Sequence, residues 1–141
     1  MKYLSLRDVE QVAFSLAQET LNWHEPIPDL ATRYPDKLEG CLEAPRQSFG
    51  NKDLYRGLLN KAAILFYLLI KNHYFQNGNK RIAITTLLVF LYRNGKWIKV
   101  DTQELYNFTK WVAASNPKLK DNTVQAVHDF LKLYLTNNNA N

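Results

Sequence analysis

Apolar positions along the chain recur mostly at helical spacing. In "LRDVEQVAFSLAQETL", residues 6–21, Val9, Val12, Ala13 and Leu16 lie three or four positions apart and predict one amphipathic helix. Pro26, Pro28 and Pro35 interrupt the next stretch, so residues 22–35 read as a connecting loop. "PDKLEGCLEA" opens on a proline, which suits a first helical turn, and ends before Pro45. "PRQSFGNK", residues 45–52, has no helical period and reads as an extended loop or a short hairpin. A long helix is expected from a cap at Asp53 to about Lys71. A second begins near Asn79 and stops at the Asn94-Gly95 pair. "KWIKV" predicts a short extended piece, and Asp101 with Glu104 has the spacing of a capping box that opens another helix. The last helix is "NTVQAVHDFLKLYL", with Val124, Val127, Leu131 and Leu135 on one face. The tail "TNNNAN", residues 136–141, is expected to fray. The fold class is therefore all-α: five or six helices and one small hairpin, in a single domain over residues 1–141. The two central helices are apolar around most of their circumference, so the others should bury them on most sides.

One stretch breaks the pattern. Between "KAAILFYLLIK" and "IAITTLLVFLY" the chain places His73, Gln76, Asn77, Asn79, Lys80 and Arg81 around Gly78. A helix starting at Asn79 turns its unpaired N–H groups and the positive end of its dipole toward this loop, which makes an anion site. Gly78 permits positive φ and close approach of a ligand to the backbone. Lys80 and Arg81 are cations in a first helical turn, where the dipole disfavours each by about 0.3–1 kcal/mol, and a bound anion would offset that cost. Arg81 can fork onto phosphate oxygens, while Lys80 acts as a point charge. His73, at the end of the preceding helix, is placed to act as a general base, and Phe75 to peg the loop to the core. The residues alone leave two readings open. One is an ordinary solvated turn between helices; the other is a phosphate-binding turn with an imidazole beside it.

Composition narrows the setting. The single cysteine, Cys41, excludes an internal disulfide and favours a reducing compartment. The longest apolar run, Ala62 to Ile70, is far short of the ~20 residues of a membrane-spanning helix. The N-terminus has no apolar signal core, so a cytoplasmic protein without a membrane role is expected. The net charge is +5, but the basic residues are scattered, which reads as a solvated basic surface with no direct nucleic-acid role. No His, Cys or acidic cluster has zinc-ligand spacing. His24 and His128 lie outside the polar loop, and His128 is expected to pair locally. Trp23, Trp97 and Trp111 are assigned to the core or its rim, and Tyr67, Tyr92 and Tyr134 to core-like helix positions.

"HYFQNGNKR" resembles the signature of the Fic/Doc (Fido) family, H-x-F-x-[D/E/N]-G-N-[G/K]-R, at His73, Phe75, Gly78, Asn79 and Arg81. "IAITTLLVFLYRNG" resembles the helix after the motif in the Doc, or death-on-curing, branch, and "LEAPRQSFGNKDLY" the family's flap. The resemblance runs over about residues 5–135. It implies an all-α enzyme that moves part of a nucleotide, usually ATP with Mg²⁺, onto a hydroxyl of a target protein. Most members transfer AMP. The Doc branch transfers the γ-phosphate to an elongation factor Tu target, as a toxin neutralised by a cognate antitoxin. Carried onto this chain, His73 becomes the base and Phe75 the loop anchor. Gly78 and Asn79 form the anion-binding turn, and Lys80 and Arg81 hold phosphate. The flap, about residues 44–52, would dock the target by strand addition through Arg46, Gln47, Ser48, Phe49 and Gly50.

Two departures from the AMP-transferring pattern matter. Lys80 stands where glycine is usual, and Ile84 stands where a second arginine is usual. Both match the Doc branch and favour phosphoryl transfer. Asn77 stands where an acidic Mg²⁺ ligand is common; an amide oxygen ligates Mg²⁺ without charge, so metal affinity should fall. The alternatives are AMP or other nucleotidyl transfer, and a catalytically weak Fic-like binding module. The family's inhibitory pattern [S/T]-x-x-x-E-[G/N] is approached only by Ser15, Glu19 and Thr20, and Thr20 breaks it. Inhibition is therefore assigned to a partner antitoxin.

Overall fold

The structure is a computed structural model that describes residues 1–13, 15–16, 35–72 and 79–138. Among these, the chain is helical apart from two small two-stranded sheets, as the all-α reading requires. Helix α1 is short, Leu6–Asp8, and runs directly into a π-helical segment, Val9–Ala13. Ser5 and Asp8 close a capping box at its start. Helix α2, Pro35–Glu43, begins on its proline as expected and passes into a 3₁₀ turn, Ala44–Arg46. Strands β1, Ser48–Phe49, and β2, Lys52–Asp53, form the hairpin.

Helices α3, Gly57–Lys71, and α4, Asn79–Arg93, are the central pair. Phe66, Ile64, Leu65 and Leu69 from α3 and Phe90, Ile82, Ile84, Leu87 and Leu91 from α4 are fully buried, together with Leu38 from α2. Burying each such side chain contributes about 1.5–3 kcal/mol. Strand β3 is Lys96–Ile98, helix α5 is Thr102–Ala114, and a 3₁₀ turn, Pro117–Leu119, leads into α6, Lys120–Tyr134. Helices α5 and α6 meet through Phe108 and Phe130, whose rings stack at 4.0 Å and 4°.

Several sequence expectations need correction. Asp53 does not cap α3: the helix starts at Gly57 behind Arg56, which makes no side-chain cap bond, and Asp53 sits in β2 with its carboxylate on Lys61. Asp101 does cap α5, accepting from the N–H groups of Gln103 and Glu104. Glu104, however, accepts from the Tyr134 hydroxyl at 2.8 Å, so its carboxylate is engaged with α6. The start of the tail is held in place: Leu135–Asn137 form β4, antiparallel to β3 with Trp97 opposite Thr136. Tyr92 is 61% exposed and stands edge-on to Trp97 at the rim. Trp111 is also at the rim, stacked on Phe108, whereas Tyr67 is buried. His128 pairs locally with Asp129 at 3.0 Å. Trp23, His24, Glu19, Thr20, most of the 22–35 loop and residues 139–141 lie outside the described residues.

Candidate active site

The ends of α3 and α4 frame the polar loop. Asn72 closes α3, its N–H donating to the Leu68 carbonyl at 2.9 Å. Lys71, one residue earlier, reaches across to the end of α5, where its ammonium donates to the carbonyls of Ala113 (3.2 Å) and Ser115 (2.6 Å). These carbonyls belong to the last turn and cap of α5, which the helix itself leaves unpaired, and the dipole there favours a cation. The Asn72 amide donates to Cys41 Sγ at 3.4 Å, tying the same helix end to α2. Burial pushes the Cys41 thiol up, and the Asn72 amide offsets only part of that shift. Cys41 is therefore a poor nucleophile and belongs to the frame.

The chain re-enters the described structure at Asn79, the first residue of α4. No acidic residue of the helix itself occupies its first turn, the end where the dipole favours negative charge. Lys80 is half-buried, and Arg81 is buried at 3% exposure. A charge held at so little exposure is only weakly screened by bulk water. The next turn is fixed by Thr85, whose hydroxyl donates to the carbonyls of Arg81 and Ile82, both at 3.2 Å. Ile84 is fully buried, so the position of the family's second arginine is here part of the apolar core. His73, Phe75, Asn77 and Gly78 lie outside the described residues. Among the described residues, no group of three His, Cys, Asp or Glu side chains could hold a metal.

The flap is a tight hairpin. Phe49 pairs with Lys52 across Gly50 and Asn51, both at positive φ (59° and 66°), the backbone of a two-residue type I′ turn. Glycine suits the first of these positions, and asparagine tolerates the second. Leu54 N–H donates to the Gln47 carbonyl at 2.9 Å and extends the ladder by one bond. Arg46, Gln47, Ser48, Phe49 and Gly50 are all exposed, Phe49 at 84%. Among the described residues no other strand pairs with either edge of this hairpin. The structure thus gathers Lys80 and Arg81 at one helix start and the five flap residues on one exposed hairpin. It also brings in residues the motif did not single out: Lys61, Lys71 and Asn72. The signal for Lys61 was present in the sequence as one charge at the head of an otherwise apolar run.

Comparison with known proteins places this arrangement. The model of the Fic/DOC family matches residues 3–91, which include α1 to α3, the flap, the polar loop and most of α4. Toxin Doc of Mycolicibacterium smegmatis (strain ATCC 700084 / mc(2)155) is 33% identical over 73 residues, 52% of this chain and 56% of that protein. The chain thus spans about half the length of this curated relative. No solved structure matches. The family match covers more than half of the chain, and the chain belongs to the Fic/DOC family.

Proposed function

We propose that this chain is a Doc-type toxin that transfers the γ-phosphate of ATP to a hydroxyl of a target protein. The observation that carries the reading is the start of α4. A positive helix end without acidic residues brings a half-buried Lys80 and a buried Arg81 together behind "HYFQNGN". The similarity to a protein named Toxin Doc supports the toxin class and, with it, a cognate antitoxin as partner.

In the reaction, the target hydroxyl oxygen attacks the γ-phosphorus. A P–O bond forms to the target, the bond between the γ-phosphorus and the β,γ-bridging oxygen breaks, and ADP leaves. His73 takes the hydroxyl proton. Lys80, Arg81 and the first N–H groups of α4 hold the phosphate oxygens, so most of the catalysis is positioning and charge stabilisation. Asn77 is the residue of this chain that would hold Mg²⁺, which would supply positive charge to the transferring phosphate. Lys80 adds charge and bulk where AMP-transferring relatives keep glycine, and buried Ile84 removes a second arginine. Both favour movement of the terminal phosphate.

The test uses ATP labelled separately at the α and γ positions, with elongation factor Tu as the first candidate target and a bacterial lysate as the second. γ-label on a protein, lost in His73→Ala, is the expected result. α-label transfer would establish nucleotidyl transfer instead. Absence of either label on any protein would make the chain a nucleotide- or partner-binding module.

A further inference from the structure

A buried lysine stands between the central helices and the flap. Lys61, in the second turn of α3, is only 3% exposed. Its ammonium donates to the Pro45 carbonyl at 3.0 Å and to Asp53 Oδ2 at 3.1 Å. It also lies 5.6 Å from the centroid of the Tyr3 ring, and the Arg46 guanidinium lies 4.9 Å from the same ring. Pro45 is where the chain enters the flap, and Asp53 is the last residue of β2. One side chain therefore holds both ends of the hairpin.

The hairpin needs such a hold. Each strand has two residues, all four of them exposed, so no apolar face packs it onto the core. An isolated two-stranded hairpin is marginal in water. A buried ammonium is costly unless its hydrogen bonds are met, and here a carbonyl and a carboxylate meet them from opposite ends of one loop. The cost of burying Lys61 is thus tied to keeping the hairpin closed at its base.

We propose that Lys61 is a flap-positioning residue: by clamping Pro45 and Asp53 it fixes the hairpin against α3 and presents its open edge to an extended segment of the target protein. The inference rests on the proposed function for the identity of the docked segment, and on the structure alone for the clamp. An edge fixed before binding lowers the ordering cost of strand addition. Because the Lys61 ammonium is engaged at the base of the hairpin by Pro45 and Asp53, its loss should weaken target binding and spare the chemical step.

Two measurements test this. The first is native-state amide hydrogen exchange at Leu54, whose N–H closes the base of the hairpin. In both Lys61→Met and Asp53→Asn this amide should exchange on the order of tenfold faster, while amides of Leu65 and Phe90 stay unchanged. Asp53 is 55% exposed, so Asp53→Asn keeps the test decisive if Lys61→Met fails to fold. Unchanged exchange at Leu54 in Asp53→Asn overturns the clamp. An equal acceleration at Leu54, Leu65 and Phe90 also overturns it, because that would mark a general loss of stability. The second measurement is transfer kinetics on elongation factor Tu. KM for the protein should rise about tenfold in Asp53→Asn with kcat held, and Asp53→Glu should restore it. A fall in kcat at constant KM would overturn the positioning role. If the unsubstituted chain transfers no label to any protein, the proposed function fails, and the exchange result still decides the clamp.

Discussion

Lys71 lies two residues before His73 and links the end of α3 to the end of α5 by two hydrogen bonds. Replacing it with methionine keeps the hydrocarbon stem and removes the ammonium. Two hydrogen bonds are lost, at 3.2 Å to Ala113 and 2.6 Å to Ser115. A hydrogen bond from a charged donor contributes about 1.5–3 kcal/mol when buried. Lys71, Ala113 and Ser115 are only half-buried, so water can reach the freed carbonyls and recover part of each bond. Loss of the cation from the negative end of α5 adds about 0.3–1 kcal/mol. The expected net destabilisation of Lys71→Met is about 1.5–2.5 kcal/mol. For a chain of this length each kcal/mol lowers Tm by roughly 3–5 °C, so a drop of about 5–12 °C should appear in thermal unfolding followed by circular dichroism. Lys132→Met, on the exposed side of the last turn of α6, serves as control and should stay within about 0.5 kcal/mol. If Lys71→Met and Lys132→Met unfold at the same temperature, Lys71 does not anchor the end of α3, and the proposed frame around the polar loop is wrong.

Asn77→Asp should raise transfer activity at limiting Mg²⁺ and leave it nearly unchanged at saturating Mg²⁺; equal activity of the two proteins across a Mg²⁺ titration would remove Asn77 from the metal site. Asp101→Ala should cost about 1 kcal/mol in chemical denaturation, because two N–H groups at the start of α5 lose their acceptor; no change would refute the cap. Asp8 gives a pH signature. Burial raises its pKa, but hydrogen bonds from Ser5 and Arg93 and the Arg93 charge outweigh this and hold it below the usual aspartate value. A carboxylate with a lowered folded pKa stabilises above its unfolded pKa, and the effect is lost as pH falls through the folded one. Asp8→Asn should therefore be about 1 kcal/mol less stable than the parent at neutral pH, and the gap should close on acidification below the ordinary aspartate range. A gap that persists unchanged into strong acid would show that the Asp8 charge contributes nothing.

The central helices were legible because their apolar runs are long and meet clear stop signals, and Asn94-Gly95 ends α4 as read. The start of α3 was not legible. Asp53 has the chemistry of a cap, but a lysine eight residues away claims its carboxylate, and only the folded chain shows which partner wins. β4 was hidden for a different reason. Thr136 and Asn137 carry no apolar alternation, and their order comes from backbone pairing with β3, to which side-chain patterning gives no clue. Tyr92 was misplaced because α4 is apolar on most sides, which leaves the boundary of its exposed face unmarked. Near the candidate site, the helix start that carries Lys80 and Arg81 and the hairpin at residues 48–53 were legible, the first from the polar break between two apolar runs and the second from the loss of helical period around Pro45 and Gly50. The clamp by Lys61 could not, since its two partners lie sixteen residues before it and eight residues before it, on either side of a turn.

The most direct test of the proposed reaction is the intact mass of purified elongation factor Tu after incubation with this chain, ATP and Mg²⁺, beside a parallel incubation with His73→Ala. A gain of one phosphate that is absent with His73→Ala is the predicted result. An AMP adduct, or a gain that survives His73→Ala, would contradict γ-phosphoryl transfer with His73 as the base.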